Sequence, residues 1–146
     1  MSRLIALDHG ARRIGVAVAD SETGMAFARS AIQRRNLDQD LAIIEELCSA
    51  EGAELIVIGL PLNMDGTEGP QAASAREFGG RLVEIGLDVV FEDERLSSWE
   101  AAERLSESGR RPARASGELD STAARVILQQ YLDARHRPGS PVEETE

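Results

Sequence analysis

Arg3-Leu4-Ile5-Ala6-Leu7-Asp8-His9-Gly10-Ala11-Arg12-Arg13-Ile14-Gly15-Val16-Ala17-Val18-Ala19-Asp20 reads as two strands and a tight connection. Residues 3–8 are an apolar run that ends on a carboxylate. Residues 13–19 alternate, with Ile14, Val16 and Val18 opposite Gly15, Ala17 and Ala19. That is the period-two pattern of a strand with one crowded face. His9 to Arg12 is short enough for a hairpin connection. The turn Ser21-Glu22-Thr23-Gly24 leads to a third strand over 25–32. Three early strands joined by short turns form an antiparallel meander.

The period then changes. Asn36 suits a helix N-cap, and Leu37, Leu41, Ile44, Leu47 and Cys48 recur at helical spacing before Gly52. Leu55-Ile56-Val57-Ile58 is uniformly apolar, as a strand buried on both faces requires. Gly59 to Gly66 is rich in turn formers. A helix is predicted from Pro70 to about Ile85, and Val89-Val90-Phe91 is a further buried strand. Ser97-Ser98-Trp99-Glu100 is a capping box that opens a helix ending near Gly109. A basic loop over 110–116 precedes a last helix over roughly 117–135. The tail, 136–146, is rich in Pro and Glu and is expected to be disordered. This order predicts an α/β fold: a five-stranded mixed sheet, three antiparallel strands and then alternating helix and strand, flanked by helices.

Composition limits the function classes. The 146 residues fit one domain. No apolar run approaches the roughly 18 residues of a membrane span, and the N-terminus lacks a secretory pattern. A single cysteine, Cys48, excludes an intramolecular disulfide framework and a Cys-rich zinc site. These features predict a cytoplasmic protein with no membrane partner. The net charge of −10 argues against coating nucleic acid by bulk attraction. The charge is uneven, however. Residues 1–35 hold six arginines against three acids, and Arg110, Arg111 and Arg114 form a second basic cluster. A local phosphate-binding face is compatible with this distribution.

Three acidic positions stand out. Asp8 closes a buried strand, where it either caps a turn or faces a ligand at the carboxyl edge of the sheet. Glu92-Asp93-Glu94 follows another strand, and alternation sends Glu94 to the opposite side from Asp93, so at most two of the three reach one site. Asp120 shares a helical stripe with Ala124, Ile127 and Tyr131. An acid on an apolar stripe is costly to bury unless it is paired or binds metal; the bland alternative is a helix-dipole acid. Carboxylates from two strand ends and a helix suit Mg²⁺. Two such ions, roughly 4 Å apart, can drive hydrolysis of a phosphodiester. His9 and His136 offer less, and Cys48 on its apolar stripe reads as core.

Four segments together resemble the YqgF family. They are Leu7 to Asp20; Ile58-Gly59-Leu60-Pro61-Leu62-Asn63-Met64-Asp65-Gly66-Thr67-Glu68-Gly69-Pro70-Gln71-Ala72; Asp93-Glu94-Arg95-Leu96-Ser97-Ser98 with Glu103; and Leu119-Asp120-Ser121-Thr122-Ala123-Ala124 with Ile127-Leu128-Gln129 and Tyr131-Leu132. They span about residues 3–133 in the family's order. The family is described as RuvC-like Holliday junction resolvases with an RNase H-like fold, and as the nuclease maturing the 5′ end of pre-16S ribosomal RNA. The resemblance implies an RNase H-like nuclease domain over 1–135. It implies that Asp8, Glu94 and Asp120 are the catalytic carboxylates and hold Mg²⁺ or Mn²⁺, with Asp93 as a neighbour of unassigned role. The sequence departs from the family at His9, where an apolar or small residue is usual, at Ala11 for Thr or Ser, and in a thinner basic loop at Arg110 to Arg114.

Arg12, Arg13, Arg110, Arg111 and Arg114 are the candidate phosphate contacts. Asn63 either donates to a phosphate or holds its loop. Trp99 either stacks on a base or packs its helix. The implied substrate is structured RNA, the pre-16S rRNA, presented by ribosomal precursor particles to a monomer or weak homodimer. The alternatives are resolution of branched four-way DNA, which requires a dimer, and a non-catalytic nucleic-acid-binding module.

Overall fold

The computed structural model describes residues 2–93 and 118–136, with the backbone alone for 118–120 and 136. Five strands, β1 (Arg3–His9), β2 (Arg13–Asp20), β3 (Met25–Gln33), β4 (Ala53–Leu60) and β5 (Val89–Asp93), form one sheet in the order β3-β2-β1-β4-β5. The meander is antiparallel, β1 against β2 and β2 against β3, while β4 runs parallel to β1 and β5 parallel to β4. The described helices are α1 (Leu37–Glu51), α2 (Pro70–Glu84) and α3 (Glu118–His136). This is the mixed, helix-flanked sheet that the element order predicts. The capping-box helix from Ser97, Trp99, the basic loop and the tail beyond 136 lie outside the described residues.

Strand alternation sorts the core into two layers. Ile5, Leu7, Ile14, Val16, Ile56 and Ile58 pack with Ile44, Phe78 and Leu82 of α1 and α2. Leu4, Ala6, Ala17, Ala19, Ala26 and Val57 pack with Ala124, Ile127, Leu128 and Leu132 of α3. Along β2, the crowded half of the alternation faces the helix pair and the small half faces α3. α2 approaches β4 and β5 closely at Gly79. A Cβ there would come within 2.6 Å of the Phe91 ring and 3.2 Å of Ile58.

Two details differ from the sequence pattern. β5 runs on to Asp93, because Glu92 and Asp93 pair with Gly59 and Leu60 and the ladder continues through polar residues. On α1 the buried residues are Asp40, Ile44 and Cys48, whereas Leu37 is exposed. The helix is rotated because Asp40 has polar partners inside: its Oδ2 accepts from Arg34 Nε at 3.1 Å and its Oδ1 from the Arg35 backbone N–H at 3.0 Å. At the helix start, Asn36 caps as its position predicts, accepting from the Gln39 N–H at 2.9 Å.

Candidate active site

Asp8 is the sixth residue of a strand whose even-numbered members, Leu4 and Ala6, face α3. It therefore lies on the α3 face, near the carboxyl end of β1. Register fixes its neighbours. Gly15 of β2 pairs directly with Asp8. On the other side, Leu7 pairs with Ile58, so Asp8 is level with Gly59 of β4. Gly59 in turn pairs with Glu92 of β5. The row across the α3 face is Gly15, Asp8, Gly59, Glu92. With neighbouring strands about 4.8 Å apart, the backbones carrying Asp8 and Glu92 are roughly 10 Å apart. Both sheet positions beside Asp8 are glycines.

α3 is brought over this row by side-chain bonds to strand backbones. The β2–β3 register shifts between Ile14 and Val16. Beside that irregularity, the Val16 N–H donates to Ser121 Oγ at 3.0 Å, in a fully buried contact. Ser121 follows Asp120, and Val16 follows the partner of Asp8. The backbone of residue 120 thus enters at the level of the Asp8–Gly15 pair. Further along α3, Gln129 Oε1 accepts from the Ala26 N–H at 3.0 Å, and its Nε2 donates to the Gly24 carbonyl at 2.8 Å. Gln130 Nε2 donates to Glu92 Oε2 at 2.9 Å. Burial pushes the Glu92 carboxyl above its ordinary pKa; the Gln130 hydrogen bond opposes that rise and the charge of Asp93 adds to it.

The chain leaving Asp8 is held from the opposite face. Gly10 N–H donates to the Arg13 carbonyl at 3.0 Å, and a Cβ on Gly10 would lie 2.6 Å from that same oxygen, so the turn requires glycine. Arg34 Nη1 donates to the Gly10 carbonyl at 2.9 Å and lies 3.0 Å from His9 Nε2. Arginine only donates, so Nε2 is the acceptor and the proton of the neutral ring sits on Nδ1. Burial, and then the Arg34 guanidinium, pull the His9 pKa below its usual value, while Asp40 opposes them. The His9 ring also packs on Phe78, with centroids 4.9 Å apart.

Asp8 and the backbone of residue 120 are thus brought to one face. Glu94 follows β5 in sequence but lies outside the described residues, as do Arg110, Arg111 and Arg114. Arg12 and Arg13 are exposed at the β1–β2 turn, next to Asp8. Asn63 holds its own loop: its Nδ2 donates to Thr67 Oγ1 at 2.9 Å, and its backbone N–H donates to the Thr67 carbonyl at 2.8 Å. Among the described residues, no three His, Cys, Asp or Glu side chains converge as a metal cluster. A carboxylate flanked in the sheet by two glycines nonetheless suits a cation that keeps its waters, as Mg²⁺ does.

Residues 2–134 match the family described as RuvX, Holliday junction resolvase. The chain belongs to this family. RuvX is the family the YqgF motifs indicate. A relative from Anaeromyxobacter dehalogenans, named "Putative pre-16S rRNA nuclease", is 46% identical over 134 residues, covering 91% of this chain and 98% of its own. One of the same name from Synechococcus elongatus is 42% identical, covering 92% and 91%. Among solved structures, RuvC of Thermus thermophilus superimposes with a TM-score of 0.59 at 15% identity, covering 91% of this chain and 95% of that one. The yeast mitochondrial Holliday junction resolvase Ydc2 gives 0.57 at 10% identity, covering 90% and 78%. At these identities the structural likeness establishes the fold, which is that of RuvC. Among the described residues, no helix of the RuvX chain is long and apolar enough to cross a membrane.

Sequence reasoning missed Ser121, Gln129, Gln130, Arg34 and Asp40. The signal that singled out Asp120, a polar residue on an apolar helical stripe, was present for two of them. Ser121 lies on the stripe of Leu128 and Leu132, and Asp40 on that of Ile44 and Cys48. The two glutamines and Arg34 act across long sequence separations and leave no local signature.

Proposed function

We propose that this RuvX chain is a divalent-metal-dependent nuclease that hydrolyses the 5′ leader of pre-16S rRNA, in the cytoplasm and on precursor ribosomal particles. The observation that carries this reading is the placement of Asp8 between two glycines, on the face to which Ser121 fastens the helix of Asp120. The relatives' shared name supports the RNA substrate. Asp8, Glu94 and Asp120 are the proposed metal ligands. Glu94 is assigned by its place in the family motif Asp93-Glu94-Arg95-Leu96-Ser97-Ser98. Bound to these carboxylates, Mg²⁺ or Mn²⁺ supplies Lewis acidity and an acidified water.

The chain's own residues do the rest. Arg12 and Arg13 at the turn after Asp8, together with Arg110, Arg111 and Arg114, hold the phosphates of the substrate strand. Gly15 and Gly59 let the phosphodiester approach the carboxylates without a side chain between them. Asn63 contributes by fixing the loop after β4. The second reading, supported by the family's description, is the same chemistry on a four-way DNA junction, cut by two protomers.

The test is incubation of wild-type and Asp8→Asn protein, with Mg²⁺ or Mn²⁺, with a pre-16S leader RNA and, separately, a DNA four-way junction. Wild-type cleavage of the RNA, lost in Asp8→Asn, is the expected result. Paired cuts in the junction alone would reverse the two readings. Binding of either substrate without cleavage by any form would reduce the protein to a binding module.

A further inference from the structure

On the face opposite α3, a groove starts at the candidate site and passes beneath α2. Its inner part is a cavity of about 360 Å³, bordered by Asp8 at one end and by His9, Arg34, Gln71 and Ser74 along its length. It continues into a second cavity of about 230 Å³, which shares His9, Arg34 and Ser74 and adds Phe78 and Arg81. The inner volume is that of a small-molecule site, which typically begins at roughly 300 Å³. The groove lies at the carboxyl ends of β1 and β4, where open α/β sheets receive ligands.

Its lining has a definite chemistry. The His9 ring borders both cavities, and it is backed by Phe78, which the Arg34 guanidinium also covers at 5.7 Å from the ring centroid. His9 cannot swing away, because Arg34 holds its Nε2 and the buried Asp40 holds Arg34. The imidazole is thus a fixed aromatic plate. Gln71 and Ser74 place an amide and a hydroxyl along the same wall. Arg34 and Arg81 supply positive charge, against Glu77 in the outer cavity. A fixed plate, hydrogen-bonding groups beside it and nearby cations match an unpaired nucleotide: base on the plate, polar edge toward the amide and hydroxyl, phosphate toward the arginines.

We propose that this groove is a nucleotide subsite, in which the base next to the cut phosphodiester leaves the substrate strand and stacks on His9. The inference rests on the nuclease reading above. Asp8 and His9 are consecutive and point to opposite faces of the sheet, so a strand cut at Asp8 has only to pass over the sheet edge to deliver its neighbouring nucleotide. Cleavage is thereby directed to single-stranded positions flanked by a base that can be splayed out.

Binding without turnover tests the subsite separately from the catalytic assignment. Asp8→Asn protein is titrated into short single-stranded RNAs carrying 2-aminopurine at successive positions, and a gel shows whether any RNA is cut. Cutting by this protein would overturn the assignment of Asp8 and leave the binding readout intact. One position is expected to be quenched on binding. Adding His9→Ala removes the quench and weakens binding about tenfold, within the range for a lost base–aromatic stack. His9→Phe restores both. Ser74→Leu, which fills the groove from the exposed side of α2 and leaves His9 and its partners in place, behaves like His9→Ala. No quenched position, an unchanged His9→Ala, or a His9→Phe as weak as His9→Ala would each overturn the proposal.

Discussion

On one face of the sheet, Ile5, Leu7, Ile14, Val16, Ile56 and Ile58 interlock with two helices. On the other, Ala6, Gly15, Ala17, Ala19 and Gly59, with Leu4 and Val57, form a barer floor, covered among the described residues by α3 alone. The first face is held by buried aliphatic area, which scales with side-chain size. The second buries smaller strand side chains against Ile127, Leu128 and Leu132 of α3, and that helix is also fastened by hydrogen bonds: Ser121 and Gln129 accept from the Val16 and Ala26 N–H groups, and Gln129 donates to the Gly24 carbonyl. Small residues let α3 approach and leave room at the sheet's edge for carboxylates and a substrate. The crowded face stabilises, and the proposed chemistry belongs to the barer one.

The largest effect should come from the bare face. Asp8→Asn and Asp120→Asn are each expected to lower cleavage more than about a hundredfold, beyond what loss of an outer-shell partner costs. Melting temperature should hardly change in either variant. A large loss of stability would mean that these acids are structural.

The crowded face should respond in the opposite way. Ile5→Ala or Ile58→Ala removes a fully buried side chain and should destabilise by about 2–5 kcal/mol. The turnover of the folded fraction should be kept, as measured by denaturant titration and by cleavage at low temperature. If turnover falls with stability, the division between the faces fails.

Ser121→Ala belongs to both categories. It leaves the buried Val16 N–H without its acceptor, a cost of about 1–3 kcal/mol. Because it also frees the turn that carries Asp120, the half-saturating Mn²⁺ concentration should rise while RNA affinity without metal stays constant. An effect on stability alone would make the hydroxyl a fastener and nothing more.

The smallest effect concerns Cys48. Burial, and then the Glu45 charge, push its thiol above the usual pKa. A raised folded-state pKa means less thiolate than in free cysteine near pH 8, so a disulfide reagent should react slowly with native protein and fully in urea. By linkage, the stability this thiol contributes is present below its unfolded pKa and fades as pH rises through the folded one. Rapid labelling of the native protein would show that α1 opens.

The sequence carried most of this architecture, because strand and helix periods are local. The alternation over 13–19, the Asn36 cap and the stripe through Ala124 and Ile127 each name their element directly. Asp8 was legible as an acid closing a buried strand. Its glycine neighbours were legible only through register, which joins residues 8, 15, 59 and 92 across three strand pairings. The polar fasteners were hidden for a related reason. Val16 and Ser121 are 105 residues apart, and Arg34 reaches Asp40 only because α1 turns its acid inward.

Asp8, Glu94 and Asp120 are the proposed ligands of one metal site. The most direct measurement is a Mn²⁺ titration followed by electron paramagnetic resonance, comparing wild-type protein with Asp8→Asn, Asp93→Asn, Glu94→Gln and Asp120→Asn. Tight Mn²⁺ binding by wild type and by Asp93→Asn, and its loss in the other three, is the expected result. Wild-type affinity in both Asp8→Asn and Asp120→Asn would contradict it.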